Sequence, residues 1–437
     1  MWLRDSANQI LSYLPLLTAS SSPGSLAALF RGVINAQSRY IKITPYCHAF
    51  QPPWESQIPL ESNHAYYRNT VYPPYNQQLT FDCKWELDSL ASFLQISHDY
   101  FNRTGDIKPF RDYSWVETIR VILAAADGMR TGTYNEDGTI APSGYTMTGQ
   151  TDRATETTSN NGLGNPVTAD TGLIRSTFRP SDDASIFQFL IPSNMMFAHY
   201  LQACASTIMP ALLSSPPPPP KPLPPPSSTP TDQDQTLQTY NQTVPQIHNL
   251  TAWMQSMSDS ITTGIRTHAQ VAHPRLGTIY AFEVDGYGSQ HLMDDANLPS
   301  LLSCPLTSPS ICNAHSSIYQ NTRLFALSSH NPYWMHGPVF SAVGGPHVGP
   351  TKGWPLASIV RILTVADEGD QGKEEVRREL RQLVGSTDGL GLMHESVNAH
   401  NEADWSRQWF GWANGMFGDM ILKVERRWPD LLRGMYQ

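Results

Sequence analysis

The sequence predicts a mainly α-helical chain, either a toroid of paired helices whose loops build a cleft at one end or a large irregular helical domain. Six segments place apolar residues three and four apart, the period of a helix with one buried face. They are SLAALFRGVINAQSRYI, KWELDSLASFLQISHDYF, SWVETIRVILAAADGMR, WPLASIVRILTVAD, EEVRRELRQLVGS and WFGWANGMFGDMILKVERRWPDLL. A single stretch, GTIYAFEV at 277–284, reads as a strand, with Ile279, Ala281 and Glu283 opposite Tyr280, Phe282 and Val284. The polar and aromatic clusters fall between these helical segments, where a loop aims a side chain and a helix holds its backbone.

Along the chain, SANQIL from Ser6 opens the first helix, directly after the polar and aromatic group WLRD. The region Thr131 to Asn165 is rich in Gly, Thr, Asn and Asp, lacks periodicity and reads as loop. LIPSNMMFAHYLQACASTIMPALL and LTAWMQSMSDSITTGIRTHAQV read as consecutive helices. Between them lies a proline-rich stretch at about 214–236, where proline forbids helix and favours an extended backbone. This is a loop inserted between helices rather than a domain boundary.

Composition narrows the partners. A net charge of −9 without any Lys/Arg block excludes a nucleic-acid or anionic-membrane surface, because both demand clustered positive charge. Charged residues make up 15% and aromatic residues 10% of the chain, a balance that suits neutral polar ligands on aromatic platforms as well as ordinary cores. No stretch reaches the roughly 18 apolar residues of a membrane span. No secretory leader pattern is visible, and WLRD lies so near the start that further sequence is expected upstream. The compartment stays open, with secretion as the candidate because sequons at Asn102, Asn241 and Asn249 permit glycosylation there. Five cysteines lack CxxC spacing, which speaks against structural zinc; Cys304 and Cys312 can close a short loop, and an odd count leaves one thiol over.

In FRPSDDASIFQF, Ser181 can cap a helix beginning at Asp182, since acidic residues in a first turn meet free N–H groups. The alternative is that Asp182 or Asp183 is a general acid, raised by its neighbour and lowered by Arg179 and the helix dipole. Glu395 in MHES is an ordinary surface carboxylate by default; His394, Trp405, Trp409 and Trp412 nearby make it a carboxylate beside sugar-sized platforms. Asp294 and Asp295 in MDDAN lack the ligand spacing of a cation loop, so capping or hydroxyl binding fits better. His330, His336 and His347 do not repeat a zinc-protease spacing. Neither GxSxG nor a phosphate loop is present.

Taken in order, MWLRDSANQ, KWELDS, FRPSDDA with FLIPSNMMF, YAFEVDGYG, LMDDANLPSLL, HNPYW, GGPHVG, MHES and WFGWANGMFG resemble glycoside hydrolase family 125, the exo-α-1,6-mannosidases. The resemblance runs from residue 2 to roughly 420, interrupted by the proline-rich insert. It implies one (α/α)6-barrel catalytic domain over 1–437, an α-mannoside glycan as substrate, and hydrolysis with inversion by two carboxylates without metal or cofactor. Carried onto this chain, the acid falls on Asp183, with Asp182 as its competitor, and the base on Glu395. Arg4, Asp5, Glu86, Asp88, Arg179, Asp285, Asp295, His347 and His394 become candidates for holding hydroxyls, and Trp2, Trp85, Trp409 and Trp412 for apolar walls. An (α/α)6 glycosidase of other sugar specificity, or a glycan-binding protein without activity, are the alternatives.

Overall fold

All six segments with three-and-four spacing are helices in the computed structural model, which describes residues 1–215 and 232–434. They form Leu26–Ile43, Leu87–Thr104, Trp115–Asp127, Pro355–Leu363, Asp370–Gly385 and Gly411–Arg427. Helices also cover Leu3–Leu11, Ile191–Ser214, Asp232–His268 and Ser317–Ala326. Most of the proline-rich stretch, 216–231, lies outside the described residues. Local signals set the ends. Ser25 accepts the Ala28 N–H at 3.2 Å and Ser316 the Tyr319 N–H at 3.3 Å, each satisfying a free donor of a first turn. Gly105 closes Leu87–Thr104 in the left-handed region at φ 64°, its N–H 2.7 Å from the Phe101 carbonyl.

Packing then orders the helices. Ile191–Ser214 is buried on nearly every side because it lies against both Leu87–Thr104 and Asp232–His268. Leu3–Leu11 packs on Leu87–Thr104 and on Gly411–Arg427, so the first helix joins the early chain to its last long helix. Buried apolar side chains gather in two clusters, one drawn from Leu3 to Tyr319 and one from Ala296 to Leu431. In the first, Trp115 stands edge-on to Phe110 at 5.3 Å and gives its indole N–H to the Ser97 hydroxyl at 3.0 Å. The one polar atom of a fully buried ring is thereby satisfied.

Sheet content differs from the sequence reading. Among the described residues there are fourteen strands of two to five residues, in six small antiparallel sheets. Runs that short carry no period-two signal. GTIYAFEV is not one strand: Gly277–Tyr280 pairs with Gln270–His273, and Glu283–Val284 pairs with Phe189–Leu190. All six residues from Ile279 to Val284 are buried, so the alternation does not separate an inner from an outer face. Within the Thr131–Asn165 loop, Thr146–Gly149 is a strand paired with Asn69–Tyr72. Cys304 and Cys312 close their loop by a disulfide, Cys47 and Cys83 form a second, and Cys204 is a buried thiol.

Gly264 tests how closely these layers approach. A Cβ there would press onto the Thr171 carbonyl oxygen and the Leu173 side chain. Glycine to alanine in an open helix gains about 1 kcal/mol. Gly264→Ala is instead expected to lower the unfolding free energy by roughly 1–3 kcal/mol through overpacking, read from urea denaturation. A stabilised variant would show that the helix and the 171–173 loop do not touch this way.

Candidate active site

Four helices present their N-terminal ends to one region. Trp2, Glu86, Trp354 and Phe410 are the residues just before Leu3–Leu11, Leu87–Thr104, Pro355–Leu363 and Gly411–Arg427. The partial positive charge of such ends favours carboxylates and polarised oxygens beside them. There a pocket of about 470 Å³, its open mouth included, is walled by Trp2, Trp354, Phe410 and Trp412 and floored by Arg4, Asp182 and Glu395.

Arg4, in the first turn of its helix and 3% exposed, gathers the acidic side of the pocket. Its Nη1 donates to Glu86 Oε2 at 2.6 Å and Asp88 Oδ2 at 3.2 Å, and its Nη2 to Asp182 Oδ1 at 3.3 Å. Asp5 lies 3.9 Å from its Nε, and the guanidinium sits 5.5 Å from the Trp412 ring centroid. The His48 Nδ1 accepts the Lys84 N–H at 3.1 Å, which puts the proton of a neutral ring on Nε2, 3.4 Å from Asp182 Oδ1. Lys84 Nζ donates to the Asp182 carbonyl at 2.9 Å. Burial pushes all three acids up, but the outcome divides. Glu86 and Asp88 stay raised despite Arg4, whereas His48, Lys84 and Arg4 together hold Asp182 well below the usual carboxylate range.

FRPSDDA does not start a helix, so Ser181 is not a helix cap. The Asp182 N–H reaches the Arg179 carbonyl at 2.9 Å, and the Arg179 N–H reaches the Asp183 carbonyl at 2.8 Å. A tight turn results, with Asp182 in the left-handed region at φ 66°, which aspartate tolerates better than most residues. The turn separates two neighbouring carboxylates. Asp182 faces Arg4 and His48, while Asp183 accepts the Ser181 hydroxyl at 2.8 Å and lies 3.6 Å from His347 Nδ1. Burial lowers His347, yet Asp183, Asp182 and Glu395 outweigh it and raise its pKa above the ordinary histidine value.

Glu395 comes from the opposite loop. It precedes the strand Val397–Asn398, which turns back as Asn401–Trp405 and brings Ser406 and Arg407 level with it. Ser406 donates to Glu395 Oε2 at 2.7 Å after accepting the Ser396 hydroxyl at 2.8 Å, and Arg407 Nε lies 2.9 Å from Oε1. The hairpin therefore fixes both carboxylate oxygens.

One cluster has metal-like spacing among the described residues: His48, Glu86 and Asp182, with ligand atoms within 4.8 Å of one another. Arg4 and Lys84 already supply the positive charge these groups face, so the cluster does not fit an ion. Comparison with known proteins agrees with this geometry. The family described as metal-independent alpha-mannosidase (GH125) matches residues 1–422. The chain belongs to this family. It is thus a glycoside hydrolase of the alpha-mannosidase type. A *Schizosaccharomyces pombe* relative, the meiotically up-regulated gene 157 protein, is 39% identical over 434 residues, covering 99% of this chain and 76% of that protein. A *Streptococcus pneumoniae* metal-independent alpha mannosidase, solved in a non-productive substrate complex with alpha-1,6-mannobiose, superposes with a TM-score of 0.77 at 30% identity. The superposition covers 97% of this chain and 85% of that one.

Within this alpha-mannosidase, the residues singled out by sequence fall into three places. Trp2, Arg4, Asp5, Asp182, His347, Glu395 and Trp412 line the pocket. Glu86, Asp88, Arg179, Asp183, Asp295 and His394 are buried close behind or beside it. Three do not belong to its walls. Trp85 is 1% exposed in the core, its indole N–H on the Arg175 carbonyl at 2.5 Å. Trp409 is 58% exposed and is not part of the pocket lining. Asp285 accepts the Tyr287 and Ser289 N–H groups at 2.8 and 2.9 Å and so closes its own loop. His394 stacks on Trp405 at 4.6 Å and contacts the Arg407 carbonyl at 2.8 Å, bracing the segment rather than facing the cavity. Asp294 accepts the Leu301 and Leu302 N–H groups, and burial pushes it up to about 7.

The sequence reading did not single out His48, Asn297, Trp354, Arg407 or Phe410. Trp354 and Phe410 carried a usable signal, an aromatic residue just before a helix, whereas His48 sits in a loop with none. Several polar atoms around the pocket are buried without a partner among the described residues: the indole N–H groups of Trp354 and Trp412, Arg179 Nη2 and Asp295 Oδ2. Gly345 lets Asp295 approach, since a Cβ there would meet Oδ2 at 2.8 Å. Such orphans cost stability unless a ligand satisfies them.

The Arg4 cluster predicts a pH-dependent defect. Arg4→Met leaves Glu86 and Asp88 without their cation and Asp182 with only His48 and Lys84, and is expected to cost about 3–5 kcal/mol. Protonation relieves the repulsion, so the cost should shrink between pH 8 and pH 5 in denaturation experiments. A penalty independent of pH would mean that packing, not charge, explains Arg4. In the unaltered protein, the raised Glu86 and Asp88 favour folding at low pH and lose that contribution as pH rises through their folded pKa values, about 6 for Asp88. Asp182, depressed, acts in the reverse sense.

Proposed function

We propose that this alpha-mannosidase is an exo-acting enzyme that removes terminal α-1,6-linked mannose with inversion, and that its helices form a single-domain (α/α)6 barrel. The observation that carries the reading is the meeting of carboxylates from two unconnected loops, FRPSDD and MHES, at one pocket: Asp182 and Glu395 line it with His347, and Asp183 lies 3.6 Å from His347 Nδ1. The alpha-1,6-mannobiose bound by the *Streptococcus pneumoniae* relative supports the linkage. The first helix, packed between Leu87–Thr104 and Gly411–Arg427, supports a closed ring of helices. A small recess with aromatic walls suits a single terminal sugar ring.

In this mechanism Asp183 gives its proton to the departing glycosidic oxygen as the C1–O bond breaks. Glu395 takes a proton from the water whose oxygen bonds to C1 on the opposite face. Asp182 is a poor acid because its ion pairs keep it deprotonated; it serves as an acceptor for sugar hydroxyls. Ser406 and Arg407 orient Glu395 toward the water. Trp2 and Phe410, part-exposed at the pocket, cover the apolar face of the sugar. Inversion requires the two carboxyls ~6.5–9.5 Å apart so that water fits between sugar and base.

Proton NMR of α-1,6-mannobiose hydrolysis should show β-mannose first; α-mannose first rejects inversion, and no release rejects the substrate. Asp183→Asn and Glu395→Gln should each lower kcat by about 10²–10⁴. A larger kcat loss in Asp182→Asn than in Asp183→Asn would transfer the acid role to Asp182.

A further inference from the structure

A second concavity lies away from the pocket, between the Trp115–Asp127 and Asp232–His268 helices. It encloses about 740 Å³, within the ~300–1,000 Å³ of ordinary ligand clefts. Its walls include Tyr113, Glu117 and Arg120 on one side and Gln246, Asn249 and Trp253 on the other. Asn249 opens the sequon Asn249-Leu250-Thr251 and is exposed. Trp253 follows it by four residues, which places both side chains on one helical face. Tyr113 is 55% exposed and Trp253 half-buried, so two aromatic faces are open to the groove. Glu117 and Arg120 add hydrogen-bonding groups at the rim.

We infer that Asn249 carries an N-linked glycan whose first N-acetylglucosamine lies in this groove against Trp253 and Tyr113. An aromatic face suits the C–H surface of a pyranose, and Arg120, Glu117 and Gln246 suit its acetamido and hydroxyl groups. The attachment takes an oligosaccharide from a polyprenyl-diphosphate donor. The bond from the Asn249 Nδ2 to sugar C1 forms, the C1–O bond to diphosphate breaks, and the amide proton leaves with the diphosphate. That chemistry belongs to the secretory route, and the Cys47–Cys83 and Cys304–Cys312 disulfides are suited to the same oxidising compartment. Asn102 is also an exposed sequon but does not line this groove, so of these two sequons only Asn249 can carry a glycan shielded there. The inference is independent of the proposed linkage specificity.

The test is secretion of the full chain from a glycosylating eukaryotic host, followed by glycopeptide mass spectrometry and timed amidase release of the glycans. Asn249 should be occupied, and its glycan should leave the folded protein at least tenfold more slowly than the denatured protein. Trp253→Ala and the surface variant Tyr113→Ala should each remove that protection while leaving occupancy unchanged. Tyr113→Ala decides the matter should the tryptophan variant misfold. An unmodified Asn249, equal release from folded and denatured protein, or slow release that persists in folded Tyr113→Ala overturns the inference. Asn249→Gln should leave mannosidase turnover unchanged.

Discussion

The Arg4 guanidinium ties together three stretches of chain that are distant in sequence. It joins the first helix to Glu86 and Asp88 at the start of another, and to the turn that carries Asp182. A buried cation so surrounded is sustained only because each partner would otherwise be a buried, unpaired charge. The cluster is thus less a source of net stability than a constraint on geometry. It fixes where the acidic wall stands, and with His48 and Lys84 it holds Asp182 well below the usual carboxylate range.

From that constraint follows a division between neighbouring carboxyls. The left-handed residue at Asp182 sends the two side chains apart, one to Arg4 and His48, the other to Ser181 and His347. Environment, not residue type, then separates their chemistry. Across the pocket, Glu395 is held by a different device, a short hairpin whose two arms supply Ser406 and Arg407. Neither carboxylate depends on the other's support, which lets a pocket open between them.

The helices contribute more than a scaffold. Their N-terminal ends converge on the pocket, bringing aromatic residues as walls and free N–H dipoles that favour electron-rich groups. The indole N–H groups of Trp354 and Trp412, with Arg179 Nη2 and Asp295 Oδ2, are among the buried polar atoms that lack a partner among the described residues.

The sequence by itself determined the helical segments, their loop clusters and the two carboxylate-bearing loops, because helix periodicity spans ten or more residues and is written locally. It could not determine the short strands, since two- to five-residue pairings depend on partners elsewhere in the chain. Trp2, Trp85, Trp409 and Trp412 looked alike as sequence; only packing put Trp2 and Trp412 at the pocket, Trp85 in the core and Trp409 at the surface. Asp285 likewise proved to close its own loop, and His48 entered the site from a segment without pattern. The tertiary structure decided these positions because burial, charge pairing and the direction of a side chain are properties of neighbours brought together by folding, not of the residue or its immediate sequence.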